Sequence, residues 1–210
     1  MTEPIGRRER KKAATRQKIA DAALRLFRER GFDAVGIRDV AAEADVAVTT
    51  VFSHFASKEA LVFDQDRDFE QGLVRAVSER APQEGLVSAL HRELRAQVRH
   101  CTSDDARPAG SIIEASPALQ EYEKAMRLRH ADSLAAAVAG ELGLAEPSTA
   151  CRALARFVVD AFQLAREAPD PDAALDEVFR MIESAWAAQA AAREPIGRRR
   201  SAASSSAGGR

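Results

Sequence analysis

Cysteine is nearly absent: Cys101 and Cys151 are the only two in 210 residues. Two thiols cannot build a disulfide scaffold or a thiolate zinc centre, and they fit a reducing cytoplasm. Aromatic residues make up 5% of the chain, with one Trp and one Tyr. Branched aliphatics are also scarce, 21 Val and Ile against 44 Ala. Ala is the strongest helix former and Val and Ile favour strands, so a β-rich fold is excluded and an all-α one expected. No apolar run approaches the roughly 18 residues needed to span a membrane, so no membrane partner is expected. No apolar core of a secretion signal follows the basic N-terminus, which again predicts a cytoplasmic protein. Gly-rich phosphate loops, HExxH, nucleophile elbows and Cys/His pairs are missing, so no enzyme is expected. His91, His100 and His130 are scattered and never stand at i, i+4. Neither a metal nor another cofactor is therefore expected.

What is present is a soluble composition, 46% hydrophobic and 30% charged, long enough for one large or two small domains. The net charge of −1 hides an uneven distribution. Residues 1–30 carry net +6, residues 193–210 carry +4, and the body between them −11. Basic ends on an acidic body suggest a polyanion met at the ends, although the tail alone reads as a solubilising charge run. Glu3–Arg8 and Glu194–Arg199 share one hexapeptide, EPIGRR, for which nothing in the sequence gives a physical reason.

Apolar spacing then divides the chain. Residues 1–10 read as a basic flexible arm. Ile19, Ala23, Leu26 and Phe27 predict a helix from about Lys12 to Arg30, stopped at Gly31. Ile37, Val40, Ala41 and Ala44 predict a short helix with Gly36 as N-cap. Asp45-Val46-Ala47 is a turn, and a third helix follows over Val48–Phe55. Ser57 reads as the N-cap of a fourth helix over 58–80, with Glu59 suiting its dipole. Further helices are expected near 86–101, 108–115, 118–142, 148–167 and 172–191, about nine in all. The breaks are Pro82–Gly85, Thr102–Arg107, Ser116-Pro117, Gly143–Pro147 and Pro169–Pro171. Residues 193–210 should be a disordered basic tail.

Two short helices joined by a tight turn, behind a longer one, make a helix-turn-helix. Thr49, Thr50 and Ser53 can face a DNA groove while Val46, Val51 and Phe55 anchor the opposite face. The string TRQKIADAALRLFRERGFDAVGIRDVAAEADVAVTTVFSHFASKEALV, residues 15–62, resembles the TetR family of transcriptional regulators. The resemblance implies a DNA-binding domain over 11–57 and a ligand-binding and dimerisation domain over 58–192. It further implies a homodimeric repressor that leaves a palindromic double-stranded operator when a small-molecule effector binds. The alternative is an architectural, effector-independent DNA-binding protein.

Carried over by position, Val48 and Thr50 stand where the family reads base edges, with Thr49 beside them. Arg38 either reaches guanine through its bidentate fork or grips a phosphate. His54 and Lys58 match phosphate positions, though His54 could equally be packed or capping. Arg7, Arg8, Arg10, Lys11 and Lys12 could enter the minor groove or screen phosphates. Three positions depart from the pattern. Asp45 replaces a frequent Gly at a site that should need a left-handed backbone, which Asp tolerates. Ala47 replaces a frequent Ser and cannot cap the recognition helix. Phe52 replaces a frequent Tyr, keeping the packing but losing a phosphate hydrogen bond.

In the C-terminal half, SIIEASPALQEYEKAM, residues 111–126, resembles the subgroup that includes the mycofactocin regulator, which implies an acyl-type or other apolar effector. Candidate pocket residues are Phe69, Leu73, Leu94, Val98, Ile112, Tyr122, Met126, Phe157 and Phe162, each also readable as plain core. Asp160, inside an apolar run, is either a polar pocket group or a solvated one. The striped, Ala-rich helices at 148–167 and 172–191 are the expected dimer interface.

Overall fold

The computed structural model describes residues 6–64, 66–101 and 108–193. Most of the basic tail, with the second copy of the hexapeptide, the start of the arm, with the first three residues of the first copy, and the 102–107 break lie outside them. The described residues form nine α-helices and no strand, as the composition required. They are α1 (Arg7–Arg30), α2 (Ile37–Glu43), α3 (Val48–His54), α4 (Asp66–Ser78), α5 (Leu86–Cys101), α6 (Pro108–Ala115), α7 (Pro117–Glu141), α8 (Thr149–Glu167) and α9 (Pro171–Arg193). Three of them, α6, α7 and α9, begin on proline, whose fixed φ suits the first helical position and whose missing N–H costs nothing there.

The chain forms two compact units, residues 1–72 with 99–129 and residues 73–98 with 130–210. The first is built on the apolar stripe of α1. Ile19, Ala23, Leu26 and Phe27 are buried against Val40 and Ala41 of α2, Val51 of α3, and Phe55. Phe27 and Phe32 meet edge to face at 5.0 Å. Ile112, Ile113 and Leu119 of α6 and α7 complete this core, the plain-core alternative for Ile112, in the unit expected to be the DNA-binding head of the chain. In the second unit Leu90 and Leu94 of α5, Leu134 and Val138 of α7, Leu154 and Val158 of α8, and Leu175 and Phe179 of α9 are buried. Ser148 caps α8, accepting from the Cys151 N–H at 3.3 Å.

Two boundaries differ from the sequence reading. Helix α1 starts at Arg7, five residues ahead of the expected Lys12, so Arg7–Arg10 of the expected flexible arm are helical. The run RRERKKAA consists of good helix formers, and the Arg10 N–H closes the first turn on the Gly6 carbonyl at 3.0 Å. The single helix expected over 58–80 is broken. Ser57 does accept from the Ala60 N–H at 3.2 Å, but it caps only a 3-10 turn, Glu59–Leu61. Leu61 and Val62 are both buried and Phe63 packs on the same core. Three consecutive residues span about 200° of an α-helix, so they cannot share one core face without a break. A new helix, α4, begins at Asp66.

Candidate nucleic-acid interface

Helices α2 and α3 pack on each other and α2 on α1, forming a helix-turn-helix. Helix α2 starts at Gly36, whose N–H donates to Asp39 Oδ2 at 2.7 Å. It ends in a Schellman turn: the Asp45 N–H donates to the Ala42 carbonyl at 3.1 Å and the Val46 N–H to the Ala41 carbonyl at 2.9 Å. The residue between must be left-handed, and Asp45 has φ 49°. This is the conformation the sequence predicted, carried without the usual glycine. Ala47 then enters α3 from an extended backbone and caps nothing. Substituting Ala47→Ser should add about 0.5–1 kcal/mol by giving an orphan N–H of α3 an acceptor. Unchanged urea and thermal midpoints would show that this end of α3 has nothing to gain.

Within α3 the two faces separate as the spacing predicted. Val51 and Phe55 are buried and Val46 packs beside them, while Thr49 and Ser53 are exposed and Thr50 is half-buried. The Ser53 hydroxyl donates to the Thr50 carbonyl at 2.7 Å, so its oxygen keeps lone pairs for an outside donor. Val48 is 36% exposed and Phe52 54% exposed. Phe52 therefore lies on the open face and does not keep the packing expected of it. Arg38 is exposed on the first turn of α2, and Arg7, Arg8, Arg10, Lys11 and Lys12 are exposed along α1.

Lys58 departs most from expectation. Its Nζ donates to the Phe32 carbonyl at 2.6 Å and lies 4.0 Å from the centre of the Phe32 ring. It holds the α1–α2 connection inward, and the helix start expected beside it is the three-residue 3-10 turn. His54 is half-buried at the end of α3, and its Nδ1 makes no hydrogen bond among the described residues. Burial, then repulsion from Arg16 and Lys12, holds its pKa below the ordinary histidine value.

The residue that sequence reasoning missed is Arg16. Its Nη1 donates to the His54 carbonyl, its Nη2 donates to the Asp64 carbonyl at 3.2 Å, and its guanidinium lies 4.2 Å over the Phe55 ring. A signal existed: Arg16 stands in register with Ile19, Ala20, Ala23 and Phe27, so a cation sits where the stripe predicts an apolar side chain.

The candidate ligand residues are divided between the two units. Phe69 and Ile112 are buried in the first unit, where Met126 is half-buried and Tyr122 stacks on Phe63 at 5.3 Å. Leu73, Leu94 and Val98 are buried in the second, and Phe162 is half-buried under Arg166. Phe157 is 58% exposed and Asp160 is exposed beside it on α8. A groove of about 440 Å³ opens in the second unit between α5 and α9, lined by His91, Ala173, Asp176, Phe179, Arg180 and Glu183. None of these six was a candidate. No group of acidic, His or Cys side chains among the described residues is arranged to hold a metal ion, and no described helix is long and apolar enough to cross a membrane.

Residues 19–64 match the family profile described as bacterial regulatory proteins, tetR family. The chain is 35% identical over 136 residues to the HTH-type transcriptional repressor Rv3405c of Mycobacterium tuberculosis, covering 65% of this chain and 69% of that one. It is 30% identical over 91 residues to the HTH-type transcriptional regulator TcmR of Streptomyces glaucescens, covering 43% of this chain and 40% of that one. Its fold is similar to that of a SmeT–triclosan complex, with a TM-score of 0.55 and 22% identity over 82% of this chain and 91% of that one. Salmonella enterica GusR gives a TM-score of 0.54 and 21% identity, covering 88% and 97%.

Proposed function

Because this chain belongs to the TetR family of bacterial regulatory proteins, we propose that it is a homodimeric repressor that a small apolar or amphipathic molecule releases from a palindromic operator. Membership makes it a helix-turn-helix DNA-binding regulator of transcription. The observation that carries the finer reading is α3 itself, a helix anchored by Val51 and Phe55 that leaves Thr49 and Ser53 exposed and Thr50 half-buried, in a unit whose α1 carries exposed cations. Val48, Thr49, Thr50, Phe52 and Ser53 then meet base edges, Arg38 meets a guanine or a phosphate, and the cations of α1 meet phosphates. Lys58, bonded inward, has a packing role in this reading.

Two such heads on a two-fold axis require inverted half-sites about one helical turn or more apart. The dimer surface fits α8 and α9, where Phe157, Leu164 and Met181 stand in solvent. The effector fits the apolar interior of the second unit, around Leu73, Leu94, Val98 and Phe162. Repression is supported by the name of the Mycobacterium tuberculosis relative, and a small-molecule effector by the triclosan complex of a protein sharing the fold. Sequencing the genomic fragments that the purified protein retains tests the operator reading. Enrichment of one inverted repeat is the expected result. Retention without sequence preference would leave only a general DNA-binding protein.

A pH dependence follows from His54. In the free protein its depressed pKa leaves the imidazole neutral near pH 7. A phosphate beside it would favour the imidazolium, so binding would take up a proton. Operator affinity should therefore rise as pH falls from about 8 to about 6, by at most tenfold per pH unit for each head. His54→Gln should flatten this slope. A parent protein with no slope would remove His54 from the phosphate contacts.

A further inference from the structure

Arg16 joins three segments that are otherwise separate in sequence: α1, the end of the recognition helix, and the entry to α4. Its fork donates to the His54 carbonyl at the C-terminus of α3 and to the Asp64 carbonyl at 3.2 Å. Its Nη2 lies 2.7 Å from Asp64 Oδ1, and its plane covers Phe55, the buried residue that ends α3. A cation suits the last carbonyls of a helix, because their partial negative charge is unsatisfied there. The acceptors are divided between Nη1 and Nη2, a spread that the fixed planar fork of a guanidinium matches and the single nitrogen of an ammonium does not. Asp64 is two residues ahead of α4, in the stretch where the chain leaves its 3-10 turn. Burial pushes the Asp64 carboxyl above its ordinary value while Arg16 pulls it down, so the pair is held in a partly desolvated place.

We propose that Arg16 and Asp64 form a latch that fixes the recognition helix to the entry of α4, making Arg16 a positioning residue for base reading. Displacement at the start of α4 then reaches α3 through one side chain, and the end of α3 moves with it. The proposal rests on the reading of α3 as the DNA-reading helix. Phosphate contacts tolerate a small tilt of α3, whereas base-edge contacts do not, so breaking the latch should cost sequence preference before it costs general affinity.

The test uses the full chain, an operator duplex selected by the parent protein, and a random duplex of equal length. Arg16→Lys keeps the charge and loses the fork, and Asp64→Asn loses the charge and keeps the shape. Each should lower the ratio of operator to random affinity by about tenfold or more, with the salt dependence on random DNA unchanged. The double variant should be no worse than Arg16→Lys alone, because the two residues act through one contact. Amide hydrogen exchange in α3 should also be faster in Arg16→Lys without DNA. Parent-like preference and parent-like α3 protection in both variants would overturn the latch. If the parent itself shows no sequence preference, the regulator reading fails instead, and α3 protection in Arg16→Lys alone decides the latch.

Discussion

Phe55→Ala is expected to remove about 3–5 kcal/mol from the DNA-binding unit and to abolish operator binding. Phe55 is 2% exposed and lies in the same core as Phe27, Val40 and Val51. Its ring also lies under the Arg16 guanidinium, so truncation leaves a cavity and strips the base from beneath a cation. A domain holds only about 5–15 kcal/mol in all, so this loss takes much of its stability. Ile112, Ile113 and Leu119 share that core, and α6 and the start of α7 should loosen with it. The second unit has its own core, around Leu94, Leu134, Leu154 and Val158, and should keep its helicity. Thermal melting followed by far-UV circular dichroism should therefore show an early transition that carries only part of the helical signal. A melting profile within about 1 kcal/mol of the parent, with operator binding intact, would mean that Phe55 does not support the head.

The head was legible because its local signals agree. The register of Val40 and Ala41 placed α2, that of Val51 and Phe55 placed α3, and the backbone at Asp45 and the empty cap at Ala47 were expected from the resemblance, at positions where the family has a frequent Gly and a frequent Ser. What escaped were features set by tertiary packing. The break after Leu61 arises because Leu61, Val62 and Phe63 must all reach one core, which local helix propensity does not register. Lys58 matched a phosphate position, but Phe32 supplies it with both a carbonyl and a ring. Ile112 could be read either as pocket lining or as plain core, because its partners on α1 are far away in sequence. Phe157 shows the same weakness in the other direction. An aromatic in an apolar stripe reads as interior, and periodicity cannot say that the stripe of α8 is wide enough to leave one edge uncovered.

That uncovered edge yields the second large effect. Phe157 and Leu164 are seven residues apart on one face of α8, 58% and 53% exposed, and Met181 on α9 is 69% exposed. Helices α8 and α9 pack along each other, so their outer faces can form one continuous apolar surface. In a two-fold dimer every such residue is buried twice, and each substitution counts twice. Phe157→Glu with Leu164→Glu would bring four carboxylates into that interface without partners, at several kcal/mol each if they stayed charged. The double variant should be monomeric by light scattering at concentrations where the parent is a dimer. Its heads are untouched, so affinity for a single half-site should match that of the parent. Affinity for the full operator should fall by about 10²–10⁴, the effective-concentration advantage that a dimer gains from its second head. A parent that is monomeric at micromolar concentration, or a variant that stays dimeric, would place the subunit contact elsewhere or remove it. A variant that loses half-site affinity as well would show that the substitutions disturbed the heads, and Met181→Glu, on the other helix of the pair, should then dissociate the dimer without that loss.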